Sequence, residues 1–169
     1  KLLYVIPTFQ NPSGKTMSLA RRKAIYALCV KYGVMILEDN PYGELRFRGE
    51  DIPTFKSMDD EGIVIYNGSY SKVLSAGMRI GFVMAQKDVL QRLTVAKQFS
   101  DCHSNIFFQI VTDEWLRTAD VDAHIAKIRK IYRERCDFML KLLDEHMDKR
   151  VTYTRPDGGL FLWCTLPEG

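Results

Sequence analysis

Two short stretches decide the fold: Leu2-Leu3-Tyr4-Val5-Ile6, closed by Pro7, and Val34-Met35-Ile36-Leu37, closed by Glu38-Asp39-Asn40-Pro41. Each is a continuous apolar run too short for a helix, the pattern of a strand buried on both faces. Between them, Ser18 is a helix N-cap and Gly33 a helix stop, which predicts a helix to Tyr32. Ala20, Ala24, Ala27, Leu28 and Val30 are expected on its apolar side, with Arg21, Arg22, Lys23 and Lys31 largely outside it. Strand, helix and strand in this order predict a parallel pair joined by a right-handed crossover.

Working outward, Thr8 to Gly14 has turn composition, and Tyr42 to Gly62 is rich in loop residues. A third strand is expected at Ile63–Tyr66, followed by the polar loop Asn67-Gly68-Ser69-Tyr70-Ser71-Lys72. The next apolar segment, Ile80–Ala85, follows too closely for a helical crossover and is expected to run antiparallel. Helical periodicity then covers Asp88–Phe99, Ile106–Thr118 and Val121–Met147. The last, at about 27 residues, exceeds the usual helix length and suits a connector. Strands at Val151–Tyr153 and Leu160–Cys164 would be joined by the turn Arg155-Pro156-Asp157-Gly158-Gly159. The expected class is α/β: a mostly parallel sheet flanked by helices over residues 1–120. A long connecting helix follows.

Composition removes several alternatives. Lys and Arg number 24 against 21 Asp and Glu, a net charge of +3 over 169 residues, too mild and too evenly spread for nucleic-acid binding. The basic run from Lys127 to Arg135 reads as the wet face of a helix. No apolar run approaches the roughly 18 residues needed to cross a bilayer. Cys29, Cys102, Cys136 and Cys164 lie far apart without a C-x-x-C pair, consistent with free thiols in a reducing compartment. His103, His124 and His146 lack metal-ligand spacing, so no metal site is expected. Gly14-Lys15-Thr16 resembles the end of a P-loop, but Phe9 occupies the place of its first glycine. No G-x-G-x-x-G is present either. Lys1 without an initiator Met, and an end at Leu166-Pro167-Glu168-Gly169 just past a strand-like segment, lead us to expect a piece of a longer chain.

In an open α/β sheet, ligands bind beyond the carboxyl ends of the strands. Those ends here carry Asn11 after the first strand, Asp39 and Tyr42 after the second, and Ser69, Ser71 and Lys72 after the third. Arg79 stands just ahead of the returning strand. An amide, an acid, a phenol, two hydroxyls, an amine and a guanidinium suit a phosphorylated nitrogen heterocycle bound covalently to an amine. Bland roles compete: Asp39 as a turn cap, Asn11 as part of a turn with a cis proline, Lys72 as a surface lysine. Tyr70 is expected to pack, and Trp115 and Trp163 to lie in the core or an interface.

Asn11-Pro12-Ser13-Gly14, Asp39-x-x-Tyr42 and Ser69-x-Ser71-Lys72-(x6)-Arg79-x-Gly81 resemble the successive signatures of class I/II aminotransferases, which are fold-type-I pyridoxal 5'-phosphate (PLP) enzymes. The gaps fit as well: 28 residues from Asn11 to Asp39, 33 to Lys72 and 7 more to Arg79. The resemblance is to the aminoadipate/kynurenine aminotransferase branch and to the related MocR-type regulators. It extends to Arg155-Pro156-x-Gly158-Gly159-x-Phe161-x-Trp163, where such enzymes enter their small domain. It implies that residues 1–120 are the C-terminal part of the PLP-binding large domain and 121–169 the connecting helix and the beginning of a small α+β domain, both incomplete.

The resemblance also implies roles. Lys72 would form the Schiff base with PLP and later act as base on the substrate Cα proton. Asp39 would pair with the pyridinium nitrogen, and Tyr42 and Asn11 would bond the ring's phenolic oxygen. Ser69, Ser71 and Arg79 would hold the phosphate. The implied substrates are an amino acid and a 2-oxo acid, handled by a cytoplasmic homodimer without nucleic acid or membrane as partner. Ala76 departs from the proline that this branch often carries there. In the family, further phosphate ligands and a ring-stacking aromatic come from sequence before Lys1, and the substrate-carboxylate arginine from sequence after Gly169. Two other outcomes belong to the same family: a PLP-sensing regulator domain and a C–S lyase. The chain by itself could also lack cofactor and activity.

Overall fold

The computed structural model describes residues 1–168; Gly169 lies outside the described residues. Strand β1 (Leu2–Val5) leads through the Thr8–Gly14 turn to helix α1 (Leu19–Lys31), and β2 (Met35–Asp39) follows. Ser18 caps α1, its hydroxyl accepting from the Arg21 amide. Strand β3 (Val64–Ser69) lies parallel to β2, and β4 (Gly81–Met84) returns antiparallel to β3. The sheet order is β1-β2-β3-β4, with Leu3 opposite Ile36, Ile36 opposite Val64, and Ser69 opposite Gly81. The expected parallel pairs and the reversal are therefore found. Helices α2 (Lys87–Ser100), α3 (Ile106–Thr118) and α4 (Val121–His146) then carry the chain to a short hairpin of β5 (Thr152–Tyr153) and β6 (Cys164–Thr165). No helix is long and apolar enough to cross a membrane among the described residues.

The core between α1 and the sheet is built on Cys29, Ile36, Phe55 and Val64, with Leu3, Val5, Ile25 and Tyr26 packed against it. Strand β3 runs on through Asn67–Ser69, expected in the polar loop, because these residues pair with Val83, Phe82 and Gly81 of β4. Three further expectations need correction. First, β1 is not buried on both faces: Leu3 and Val5 turn to the core, while Leu2 and Tyr4 remain 57% and 56% exposed. It is an edge strand with one face covered, so alternate residues stay wet whatever their polarity.

Second, the faces of α1 are exchanged. Ala20, Ala24, Ala27, Leu28 and Val30 are exposed, and Arg22, Ile25, Tyr26 and Cys29 face the sheet. Arg22 is fully buried because backbone oxygens surround it. Its Nε donates to the Met17 carbonyl (3.1 Å), Nη1 to that of Pro53 (3.0 Å), and Nη2 to the Pro7 carbonyl (3.0 Å) and Thr8 Oγ1 (2.9 Å). A buried charge is tolerable when its donors are met in this way. Glu38, on the sheet below, is equally buried and accepts from the Phe55 and Lys56 amides at 3.0 and 2.8 Å.

Third, the expected strand Leu160–Cys164 shrinks to Cys164–Thr165. The segment before it is drawn elsewhere: Gly158 bridges Arg46, and the Gly159 amide donates to the Leu45 carbonyl at 3.1 Å. A Cβ on Gly158 would lie 2.3 Å from Phe9 Cζ, so this approach needs glycine. Trp163, expected in a core or interface, is 47% exposed and not a core residue, whereas Trp115 is half-buried against His124.

Candidate active site

Asp39 closes β2, and its carboxylate is gripped from both neighbouring strands. Tyr4, on β1, donates its hydroxyl to Oδ2 at 2.7 Å. Asn67, paired with Asp39 in the β2–β3 register, donates Nδ2 to Oδ1 at 2.8 Å. Tyr4 stands opposite Leu37, which shares a sheet face with Asp39 because side chains alternate along a strand. That is the face turned away from α1. The hydrogen bond to Asp39, helped by partial burial and by the nearby negative charge, pushes the Tyr4 phenol up to about 12. At neutral pH the phenol is thus a donor to a carboxylate, and each carboxylate oxygen keeps a lone-pair direction for another donor.

Ser69 closes β3, and Lys72 lies in the turn that follows. The turn is tied by backbone bonds from Leu74 N and Ser75 N to the Tyr70 carbonyl (2.8 and 3.2 Å) and from Tyr70 N to the Ile80 carbonyl (3.1 Å). Ser69 Oγ accepts from the Ser71 amide at 3.1 Å. Lys72 is half-buried, and among the described residues its Nζ has no hydrogen bond or ion pair. Arg79 has a left-handed backbone (φ 57°, ψ 40°), an uncommon conformation for a residue with a side chain. From there its Nη1 reaches Ser71 Oγ (3.4 Å) and the Ala76 carbonyl (3.1 Å). Two hydroxyls and a guanidinium thus share one loop at the end of β3. Tyr70 packs at a tilt on Phe82, ring centroids 5.6 Å apart, as a packing residue would.

Tyr42 follows β2 by three residues and is buried edge-on against Phe161, with centroids 5.2 Å apart. Its hydroxyl makes no hydrogen bond among the described residues. Asn11 lies exposed in the turn after β1, with a cis bond to Pro12. The structure therefore brings Asp39, Ser69, Ser71, Lys72 and Arg79 onto adjoining strand ends. No side-chain hydrogen bond or ion pair ties Asn11 or Tyr42 to them among the described residues, though Tyr42 is near enough to act on the Tyr4 phenol that holds Asp39. Reasoning from sequence missed Tyr4 and Asn67. Tyr4 was hidden inside an apolar run, and only the register of three strands shows that it meets Asp39.

This donor set fits PLP. A fixed carboxylate suits a protonated ring nitrogen, an unpaired amine suits an aldehyde, and the Ser69–Ser71–Arg79 loop suits a phosphate dianion.

Residues 3–169 match the family described as Aminotransferase class I and II. The chain is 47% identical over 169 residues to aromatic-amino-acid aminotransferase 1 of Thermococcus litoralis, covering 100% of this chain and 40% of that protein. It is 40% identical over 172 residues to 2-aminoadipate transaminase of Thermus thermophilus, covering 100% and 43% respectively. Its fold superposes on the crystal structure of Pyrococcus horikoshii kynurenine aminotransferase, solved in complex with PMP, with a TM-score of 0.97 at 43% identity. That match covers 100% of this chain and 42% of the other. The chain thus spans about two fifths of the length of these relatives. With the signatures at Asn11, Asp39 and Lys72 in place and the match running from end to end, this chain belongs to the class I and II aminotransferases.

Proposed function

We propose that this chain forms part of a PLP-dependent aminotransferase that moves an amino group between an amino acid and a 2-oxo acid. The observation that carries this reading is the doubly held Asp39 carboxylate, on strand ends shared with an unpaired Lys72 and the Ser71–Arg79 loop. PLP, when bound, supplies an aldehyde carbon that takes up the amino group and an electron-poor ring that spreads the charge left when Cα loses its proton.

The chain's own residues do the rest. Lys72 would hold the cofactor through Nζ, and its amine, once free, would take the substrate Cα proton as a general base. Asp39 keeps a proton on the ring nitrogen, and Tyr4 and Asn67 hold that carboxylate in one orientation. Ser69 and Ser71 would donate hydroxyls to the phosphate, and Arg79 would offer it a planar charged fork. Tyr42 and Asn11 would donate to the ring's phenolic oxygen, as the family resemblance implies. A homodimer in the cytoplasm completes the reading. Four unpaired cysteines are in keeping with a reducing compartment, and the homodimer rests on family resemblance.

The test is an absorbance titration of the full-length protein with PLP. A band near about 420 nm that borohydride removes, and that Lys72→Ala never develops, is the expected result. Conversion of a 2-oxo acid to its amino acid then identifies a transaminase. Release of ammonia and a thiol would identify a lyase instead, and a band without turnover a sensor. No band in either protein would overturn the proposal.

A further inference from the structure

We propose that His124, on the connecting helix α4, is a positioning residue that sets the place of Lys72 through the backbone carbonyl of Val73. The proposal rests on the reading of Lys72 as the residue that engages the cofactor.

The ties of the lysine turn described above are all local, made within residues 69–80. One bond is different. His124 Nε2 lies 2.7 Å from the Val73 carbonyl oxygen, 51 residues away in sequence. Among the described residues this is the only hydrogen bond that any helix makes to the 70–75 turn. A carbonyl can only accept, so the contact requires Nε2 to carry a proton and donate it. The ring is oriented by Trp115 of α3, edge-on with centroids 5.5 Å apart and planes at 84°.

A cavity of about 310 Å³ lies against the turn, bounded by Ser69, Tyr70, Val73, Trp115 and Ile125 among others. The His124–Val73 bond is the tie that relates this turn to a helix rather than to its own loop. The same helix makes a second tie five residues later. Arg129 Nε donates to the Glu44 carbonyl at 2.6 Å, and Nη2 stands 3.6 Å from Glu44 Oε2, two residues past Tyr42. Helix α4 thus holds the Lys72 turn and the Tyr42 turn at a fixed separation, through His124 and Arg129. A displacement of an attacking amine by about 1 Å is enough to cost on the order of a hundredfold in rate.

The test uses His124→Phe, which keeps an aromatic ring beside Trp115 but has no donor, and His124→Gln, whose amide N–H has similar reach. Hydrogen exchange of the cofactor-free full-length protein reads the structural effect. The Leu74 and Ser75 amides are expected to exchange about tenfold faster in His124→Phe, and to return towards wild type in His124→Gln, consistent with loss and regain of one hydrogen bond. The Ile36 amide in the central strand serves as the internal reference and should not change. In the holoenzyme, kcat is expected to fall about 10- to 100-fold in His124→Phe with the amino-acid KM within about threefold, and to recover in His124→Gln. Equal acceleration at Ile36, unchanged exchange at Leu74 and Ser75, or failure of Gln to restore either readout overturns the proposal. If the protein transaminates nothing, the exchange arm still decides whether His124 places the turn, and the functional reading fails separately.

Discussion

Replacing Tyr4 by Phe removes one oxygen and one hydrogen bond, the 2.7 Å donation to Asp39 Oδ2, and leaves Asn67 on the other carboxylate oxygen. A hydrogen bond to a charged acceptor is worth about 1.5–3 kcal/mol when sheltered from water. Tyr4 is 56% exposed, so water replaces part of the lost donor and the expected penalty falls to about 1 kcal/mol. At about 1.4 kcal/mol per factor of ten, that is roughly a fivefold loss in affinity for PLP. The assay is an equilibrium PLP titration of the full-length protein, with Tyr4→Phe, Asp39→Asn and the double variant side by side. Asp39→Asn removes the charge proposed to pair with the ring nitrogen and should weaken binding by about 2–5 kcal/mol. In that background Tyr4→Phe should matter less than about twofold, giving a coupling near 1 kcal/mol between the two residues. The phenol's pKa of about 12 lies above the ordinary value of 10.0, so the donor is fully present below about 10 and lost only as pH rises through 12. The fivefold ratio should therefore be flat from about pH 6 to 9. An equal effect of Tyr4→Phe in both backgrounds would refute the reasoning, because it would show that the phenol does not act through Asp39.

Two further predictions concern the scaffold under the site. Arg22→Met should destabilise the fold by about 3–5 kcal/mol in urea denaturation, because four buried oxygens lose their donor and Glu38 loses a nearby positive charge; a loss below about 1 kcal/mol would mean that water replaces the guanidinium. Asp59 has its pKa held below the ordinary 3.8: burial raises it, but Lys56 Nζ (2.9 Å) and the Val64 and Ile63 amides (3.1 and 2.9 Å) together outweigh burial. A depressed carboxylate pKa adds stability above the unfolded value that is lost as pH falls through the folded one. Asp59→Asn should thus lower the melting temperature at pH 7 and flatten its decline below about pH 4, a difference read from thermal melts across that range.

Much of the fold was legible because local rules act over a few residues. Helix α3 begins and ends where the periodicity of Ile106–Thr118 places it, and α4 differs from Val121–Met147 by one residue. The antiparallel return of β4 followed from the shortness of its connection. Five of the seven candidate residues, Asp39, Ser69, Ser71, Lys72 and Arg79, stand on adjoining strand ends. What failed to read were partners rather than elements. The side of α1 that faces the sheet was misassigned because the alanines looked apolar, whereas the buried arginine had its donors met by carbonyls of distant loops. Leu160–Leu162 looked like strand because their pattern could not reveal that Gly158 and Gly159 are held at Leu45 and Arg46.

By itself, then, the amino-acid order determined the succession of strands and helices and the spacing of the acid, the amine and the guanidinium along it. Only the tertiary structure decided that Tyr4 and Asn67 grip Asp39, that Arg22 is inside, and that His124 meets Val73. The physical reason is range: periodicity and caps are satisfied within a turn or two of chain. These contacts instead join groups from 15 to 51 residues apart, and become defined only once strand register and helix packing are in place.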